Sequence, residues 1–127
     1  MRKKKRQETI NETNPPIIQS SSSENDLRKK LETLKSHEGL LGYIIRDSTF
    51  ASMDLNDPTR TMDYAFLSSS IVNASERISR IFDLGNIKSI LIEGKDIKML
   101  VQTTSEYTIS VFMEKTFDSE LLKKILL

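Results

Sequence analysis

Between Pro58 and Leu84 the sequence contains no glycine and no further proline, and this stretch constrains the fold more than any other feature. Asp57-Pro58 opens it with an N-cap side chain followed by proline at the first helical position, where a missing N–H costs nothing. Gly85 offers the stop. The spacing predicts one helix of roughly 27 residues and about 40 Å. One stripe, Tyr64, Leu67, Ile71, Ala74, Ile78 and Ile81 with Phe82, recurs every three or four residues and is expected to face the core. A second face holds Met62, Ala65, Phe66, Ser69, Ser70 and Asn73, then Glu76, Arg77 and Arg80. No charge appears on it before Glu76 after Asp63, although a solvated helix face normally carries charges over ten residues. It fits either a wide buried stripe or a contact with another helix, which the small Ser and Ala side chains would let approach closely.

The segments around this helix read as strands. "LLGYIIRD", Leu40 to Asp47, is apolar on both faces except at Gly42, the signature of an interior strand covered from both sides. "TFASMD" has a weaker, mixed pattern suited to a peripheral strand, and a tight turn at Asp47-Ser48-Thr49 would join the two. After Gly85 come "IKSILIEG" and "DIKMLVQT", expected to be joined by a type II′ turn centred on Gly94-Lys95. "YTISVFM" then alternates strictly, with Tyr107, Ile109, Val111 and Met113 on one face and Thr108, Ser110 and Phe112 on the other.

Two shorter helices flank these elements. Ser23-x-x-Asp26 has the form of a capping box, and Leu27, Leu31 and Leu34 make a narrow apolar stripe behind it. Gly39 is a natural stop, with His37 in the last turn where a cation suits the helix dipole. At the other end Asp118 reads as an N-cap, with Phe117 and Leu122 as a hydrophobic staple ahead of Leu121, Ile125 and Leu126.

Ahead of the first helix the composition changes. Residues 1–23 combine a basic block, "NETNPP" and "QSSSS" without an aromatic residue, and they read as a disordered tail preceding a folded domain at 24–127. The tail also hides a charge asymmetry. The net charge is +1, from 19 Lys and Arg against 18 Asp and Glu. Arg2, Lys3, Lys4, Lys5 and Arg6 supply five of the cations, so the remaining fourteen face all eighteen acids and the chain after Arg6 carries −4. A mildly acidic folded part argues against nucleic-acid binding. The basic block is able to touch anionic lipid electrostatically, but a solvated tail is the plainer reading. There is no cysteine, no apolar run behind the basic start and no window of about 18 apolar residues, so a cytoplasmic setting is expected.

The order α-β-β-α-β-β-β-α, with short strands and tight turns, predicts an α+β fold: one five-stranded antiparallel sheet in a three-layer α-β-α sandwich. The long helix would take one face and the two terminal helices the other. This order resembles the roadblock/LC7 domain. "GLLGYIIRDSTFASM" is similar to that family's first hairpin, with Asp47 ending a strand and Ala51-Ser52 in the next. "LGNIKSILIEGKDIKMLVQT" is similar to its second, with Gly85 and the Ile92-Glu93-Gly94 turn. The resemblance covers residues 24 to 127.

What the resemblance implies is a non-catalytic dimer, pairing with itself or with a paralogous roadblock subunit, that binds a small Ras-like GTPase. In such domains the third strands pair edge to edge and the long second helices lie side by side. Here those surfaces would be Ile87, Lys88, Ile90 and Ile92 on the strand, and Met62, Phe66, Ser69, Ser70, Asn73 and Arg77 on the helix. The residues agree independently, because Ile87, Ile90, Leu91 and Ile92 make a flat apolar strand guarded only by Lys88.

Catalytic chemistry finds little support. One histidine and no cysteine leave no zinc or Cys-His site, and the four glycines are too scattered for a phosphate loop. Ser68-Ser69-Ser70 lies in a helix with no base near it in sequence. Arg60, Arg77 and Arg80 stand where an inserted arginine would, but solvated or helix-pairing roles suit them better. No enzyme activity, cofactor or metal is therefore expected. A longin- or profilin-like module for trafficking or cytoskeletal contacts is the alternative, with its sheet edge left free. A PAS- or GAF-type sensor would need a pocket inside the sheet, which Leu100, Ile109 and Val111 are better suited to fill.

Overall fold

The computed structural model describes residues 18–49 and 51–126, with side chains from Asp26 onward. Its elements are α1 (Ile18–Lys35), β1 (Leu40–Arg46), β2 (Ala51–Leu55), a 3-10 turn (Pro58–Arg60), α2 (Thr61–Phe82), β3 (Ser89–Glu93), β4 (Ile97–Thr103), β5 (Thr108–Glu114) and α3 (Ser119–Leu126). The strands form one antiparallel sheet in the order β2-β1-β5-β4-β3. The α-β-β-α-β-β-β-α order and the five-stranded sheet are those the sequence predicts. The basic block at the start of the tail lies outside the described residues. The backbone of α1 begins at Ile18, ahead of the Ser23 cap expected from the sequence.

Each face of the sheet has its own core. Leu27, Leu31 and Leu34 of α1 and Phe117 and Leu122 beside and within α3 pack on Leu40, Tyr43, Ile45, Leu100, Ile109, Val111 and Met113. On the other face α2 sets Tyr64 against Ile44, Met99, Val101 and Phe112. The Tyr64 and Phe112 rings stack with centroids 4.4 Å apart. The alternation of β5 is realised, since its odd-numbered residues enter the first core and Phe112 the second. β1 is apolar on both sides because it serves both cores.

Local chemistry sets the joints. Asp47 accepts hydrogen bonds from the Thr49 N–H at 2.7 Å and the Thr49 hydroxyl at 3.0 Å, making the first hairpin turn. Asp57 caps the 3-10 turn through the Thr59 N–H and hydroxyl, and Asp118 caps α3 through the Glu120 N–H. His37 stands just past α1, its Nδ1 3.1 Å from the Thr33 carbonyl.

Three expectations need correction. The long helix is shorter than predicted: proline opens a 3-10 turn, and regular helix runs 22 residues from Thr61 to Phe82. Asp83 takes the left-handed position (φ 53°) that ends it, ahead of Gly85. The β3–β4 turn is displaced by one residue. Gly94 donates its N–H to the Ile97 carbonyl at 2.9 Å, so Lys95-Asp96 occupy the centre, and neither they nor Gly94 have the positive φ of a II′ turn. The third correction concerns the core face of α2. Tyr64 and Ser68 are buried, whereas Ile78, Ile81 and Phe82 are 47%, 72% and 67% exposed. A 22-residue helix is about 33 Å long, and strands of at most seven residues span about 23 Å. The helix outruns the sheet beneath it, and among the described residues nothing buries its last apolar turns.

Candidate functional site: the outer face of the long helix and the free edge of the sheet

The seat of α2 fixes which of its faces is free. Ser68 lies against β5, its hydroxyl 2.6 Å from that of Ser110, both buried. Small side chains at this point let the helix approach the sheet, and the pair satisfies two hydroxyls that would otherwise cost free energy inside the core. With Tyr64, Ser68, Ile71 and Val72 turned inward, steps of 100° per residue point Met62, Phe66, Asn73 and Arg77 away from the sheet. Met62 is 80% exposed and Phe66 75%, while Ser69 and Ser70 are half-buried on the flanks of this face. Ile81 continues the stripe one turn beyond Arg77.

The composition along this stripe is ordered. Large apolar side chains stand at its ends, Met62 and Phe66 at one and Ile81 at the other, and small or polar ones between. Arg77 forms no ion pair among the described residues, whereas Arg60 is held by Asp63 (3.2 Å) and lies over the Tyr64 ring at 5.3 Å. Arg60 is thus engaged within α2 and its 3-10 turn.

The second surface is β3. Among the described residues it pairs with β4 alone and ends the sheet. The Thr103 N–H donates to the Lys88 carbonyl and the Gly94 N–H to the Ile97 carbonyl, so the even-numbered residues of this strand turn their backbone groups towards β4. By the alternation of an antiparallel ladder, Ser89, Leu91 and Glu93 direct their N–H and C=O groups out from the edge. Ile90 and Ile92 are half-buried beneath α2, and Leu91 is exposed on the opposite face. Ile87 and Lys88 precede the strand. Of the four residues singled out on this edge, two lie in β3 and two at its approach. Leu91, whose backbone faces outward, was read only as part of the strand. The ladder parity that distinguishes it from Ile90 depends on the turn position, which the sequence misplaces by one residue.

The opposite edge, β2, is tied down by charge. Asp54 pairs with Lys35 of α1 at 2.6 Å. The hydrogen bond to Asp54 raises the Lys35 pKa against the smaller opposing effect of burial, and burial raises that of Tyr43 beside them. Among the described residues no group of three metal-ligating side chains occurs. None of their helices is long and apolar enough to cross a membrane.

No family model matches the sequence, and no curated protein matches it. Solved structures do. A roadblock/LC7 domain from Streptomyces avermitilis superposes with a TM-score of 0.64 at 17% identity, over 80% of this chain and 88% of that one. The gliding protein MglB of Thermus thermophilus gives 0.62 at 13% identity, over 80% of each chain. MglC of Myxococcus xanthus gives 0.55 at 14%, over 80% and 90%. What this chain shares with them, across four-fifths of its length, is the roadblock/LC7 fold.

Proposed function

We propose that residues 24–127 act as a non-catalytic homodimeric scaffold that binds a small Ras-like GTPase across its paired long helices. The observation that carries the pairing is the self-complementary pattern of the two free surfaces. A two-fold axis through Leu91 sets Leu91 opposite Leu91 and Ser89 opposite Glu93, which joins every outward N–H and C=O of both edges. The same axis lays two copies of α2 antiparallel on the same side of the joined sheet. We assign Ser69, Ser70 and Asn73 to the crossing of the two helices, and Met62 and Phe66 of each copy to the neighbourhood of Arg77 and Ile81 of the other, a pairing in which each α2 turns its outer face towards the joint. Large side chains thereby meet the far end of the partner helix, and small ones meet each other.

The GTPase as partner class rests on the resemblance to roadblock/LC7 regulators. A joined pair of helices supplies the broad, rigid surface that such a partner needs. Light scattering on the eluting chain tests the pairing: twice the 14.6 kDa chain mass is expected at tens of micromolar, and a monomer there would refute it. Pull-down of Ras-like GTPases from the native cell, loaded with each nucleotide, tests the partner. Failure to retain any in either state would remove the GTPase from the proposal and leave the dimer standing.

A further inference from the structure

A cleft of about 620 Å³ opens between the second half of α2, the segment leading into β3 and the β4–β5 turn. Because α2 outruns the sheet, the space under its last turns is framed by polar loop residues. Arg80 and Lys88 line it, and neither forms an ion pair among the described residues. Asn86, Ser105 and Thr108 also line it, and their side chains form no hydrogen bond among the described residues. Glu76 is the acid on the wall. Other hydroxyls in the cleft are engaged: Ser75 with the Val72 carbonyl, Ser79 with that of Gly85, and Thr104 with the backbone of its own turn.

We infer that this cleft is a binding site for a small phosphate monoester with a hydroxyl-bearing body, a sugar phosphate or a nucleoside monophosphate. Two cations without an ion pair among the described residues, one of them a planar guanidinium, and hydroxyl donors lining the same cleft match a phosphate dianion. Glu76, which only accepts, matches the hydroxyls of an attached sugar. The volume lies within the range of about 300–1,000 Å³ typical of small-molecule sites, and Val72 and Ile87 supply apolar contact. The inference does not require the pairing proposed above.

Amide NMR of the full chain, titrated separately with inorganic phosphate, ribose 5-phosphate and AMP, provides the test. Saturable shifts are expected at residues 86–88 and 103–105, with both esters bound more tightly than inorganic phosphate. Arg80→Gln with Lys88→Gln is expected to weaken ester binding at least about tenfold while the spectrum stays dispersed. Glu76→Ala, which removes the acceptor, is expected to remove the advantage of the esters over phosphate. A preference for AMP over ribose 5-phosphate would point to a nucleotide, and equal binding to the shared ribose phosphate. A variant carrying Arg2→Ser, Lys3→Ser, Lys4→Ser, Lys5→Ser and Arg6→Ser controls for the basic block. The site is refuted if no probe gives saturable shifts, if the cation variants bind unchanged, or if the tail variant alone abolishes binding. Equal affinity for all three probes would refute the ester assignment.

Discussion

Phe66→Ala separates the surface of the helix from its seat on the sheet. Phe66 leaves 75% of its surface exposed, so its removal opens no cavity within the protomer. A phenylalanine presents roughly 200 Å², so about 150 Å² per protomer awaits cover. At about 25 cal/mol per Å², covering it contributes about 3–4 kcal/mol. Alanine retains part of that area, which leaves a loss of about 2–3 kcal/mol per protomer, and a two-fold interface counts it twice. The dimer constant is then expected to weaken by about three to four orders of magnitude. Sedimentation equilibrium over a dilution series reads this directly, and far-ultraviolet circular dichroism verifies that the fold is kept. A dimer constant within about threefold of the parent would refute the helix pairing. Phe66 would then be an ordinary exposed side chain.

Other expectations follow from single sites. Leu91→Lys sets two ammonium groups opposite one another across the joined edge, at a site already exposed in the protomer; light scattering should show monomer, and an unchanged dimer would place the interface elsewhere. Gly42→Ala would bring a Cβ within 2.5 Å of the Asp54 carbonyl oxygen and 2.7 Å of the Leu55 Cα at φ +147°. Neither backbone atom yields without parting β1 from β2, so urea melts should show a loss of about 3 kcal/mol. Ser68→Ala leaves the Ser110 hydroxyl buried without its partner and should cost about 1–2 kcal/mol; adding Ser110→Ala should recover part of it, and a double variant as unstable as the summed singles would contradict the coupling. The Lys35 pKa is raised on folding, so its stabilisation is complete below the ordinary lysine value near 10.5 and is lost as pH rises through the folded value. Tyr43, raised by burial, acts in the same direction, because only the unfolded phenol ionises freely above pH 10. Lys35→Met should flatten part of the alkaline decline in melting temperature.

Much of the fold was legible because several local signals agreed at each element. β5 alternates strictly, β1 is apolar on both faces, and Asp57, Asp118 and Asp47 each cap or turn the chain through their own side chains. The site was less legible for two physical reasons. A one-residue error in the β3–β4 turn reverses which backbone groups face the free edge, and composition carries no trace of that parity. In α2 the periodic residues Ile78, Ile81 and Phe82 look like core, yet periodicity states only that a stripe is apolar, never what covers it. The sheet determines that, and it ends before the helix does.

That mismatch bears on function. Burying a large apolar side chain stabilises by about 1.5–3 kcal/mol, and this chain leaves Met62, Phe66, Ile78, Ile81, Phe82 and Leu84 largely exposed on or beside one helix. Singly exposed apolar residues are common, but a grouped set beside an unpaired strand edge is the pattern expected of a surface covered in assembly. The same overhang frames the cleft beneath the last turns of α2. The length of the helix relative to its sheet leaves Ile78, Ile81 and Phe82 exposed and frames the polar recess below, whereas Met62 and Phe66 are exposed because they point away from the sheet. Ile81→Ser, which keeps Arg80 and the length of α2, should weaken dimerisation and leave ester binding unchanged. Loss of ester binding in that variant, or a dimer constant within about threefold of the parent, would contradict this division between the outer face and the recess.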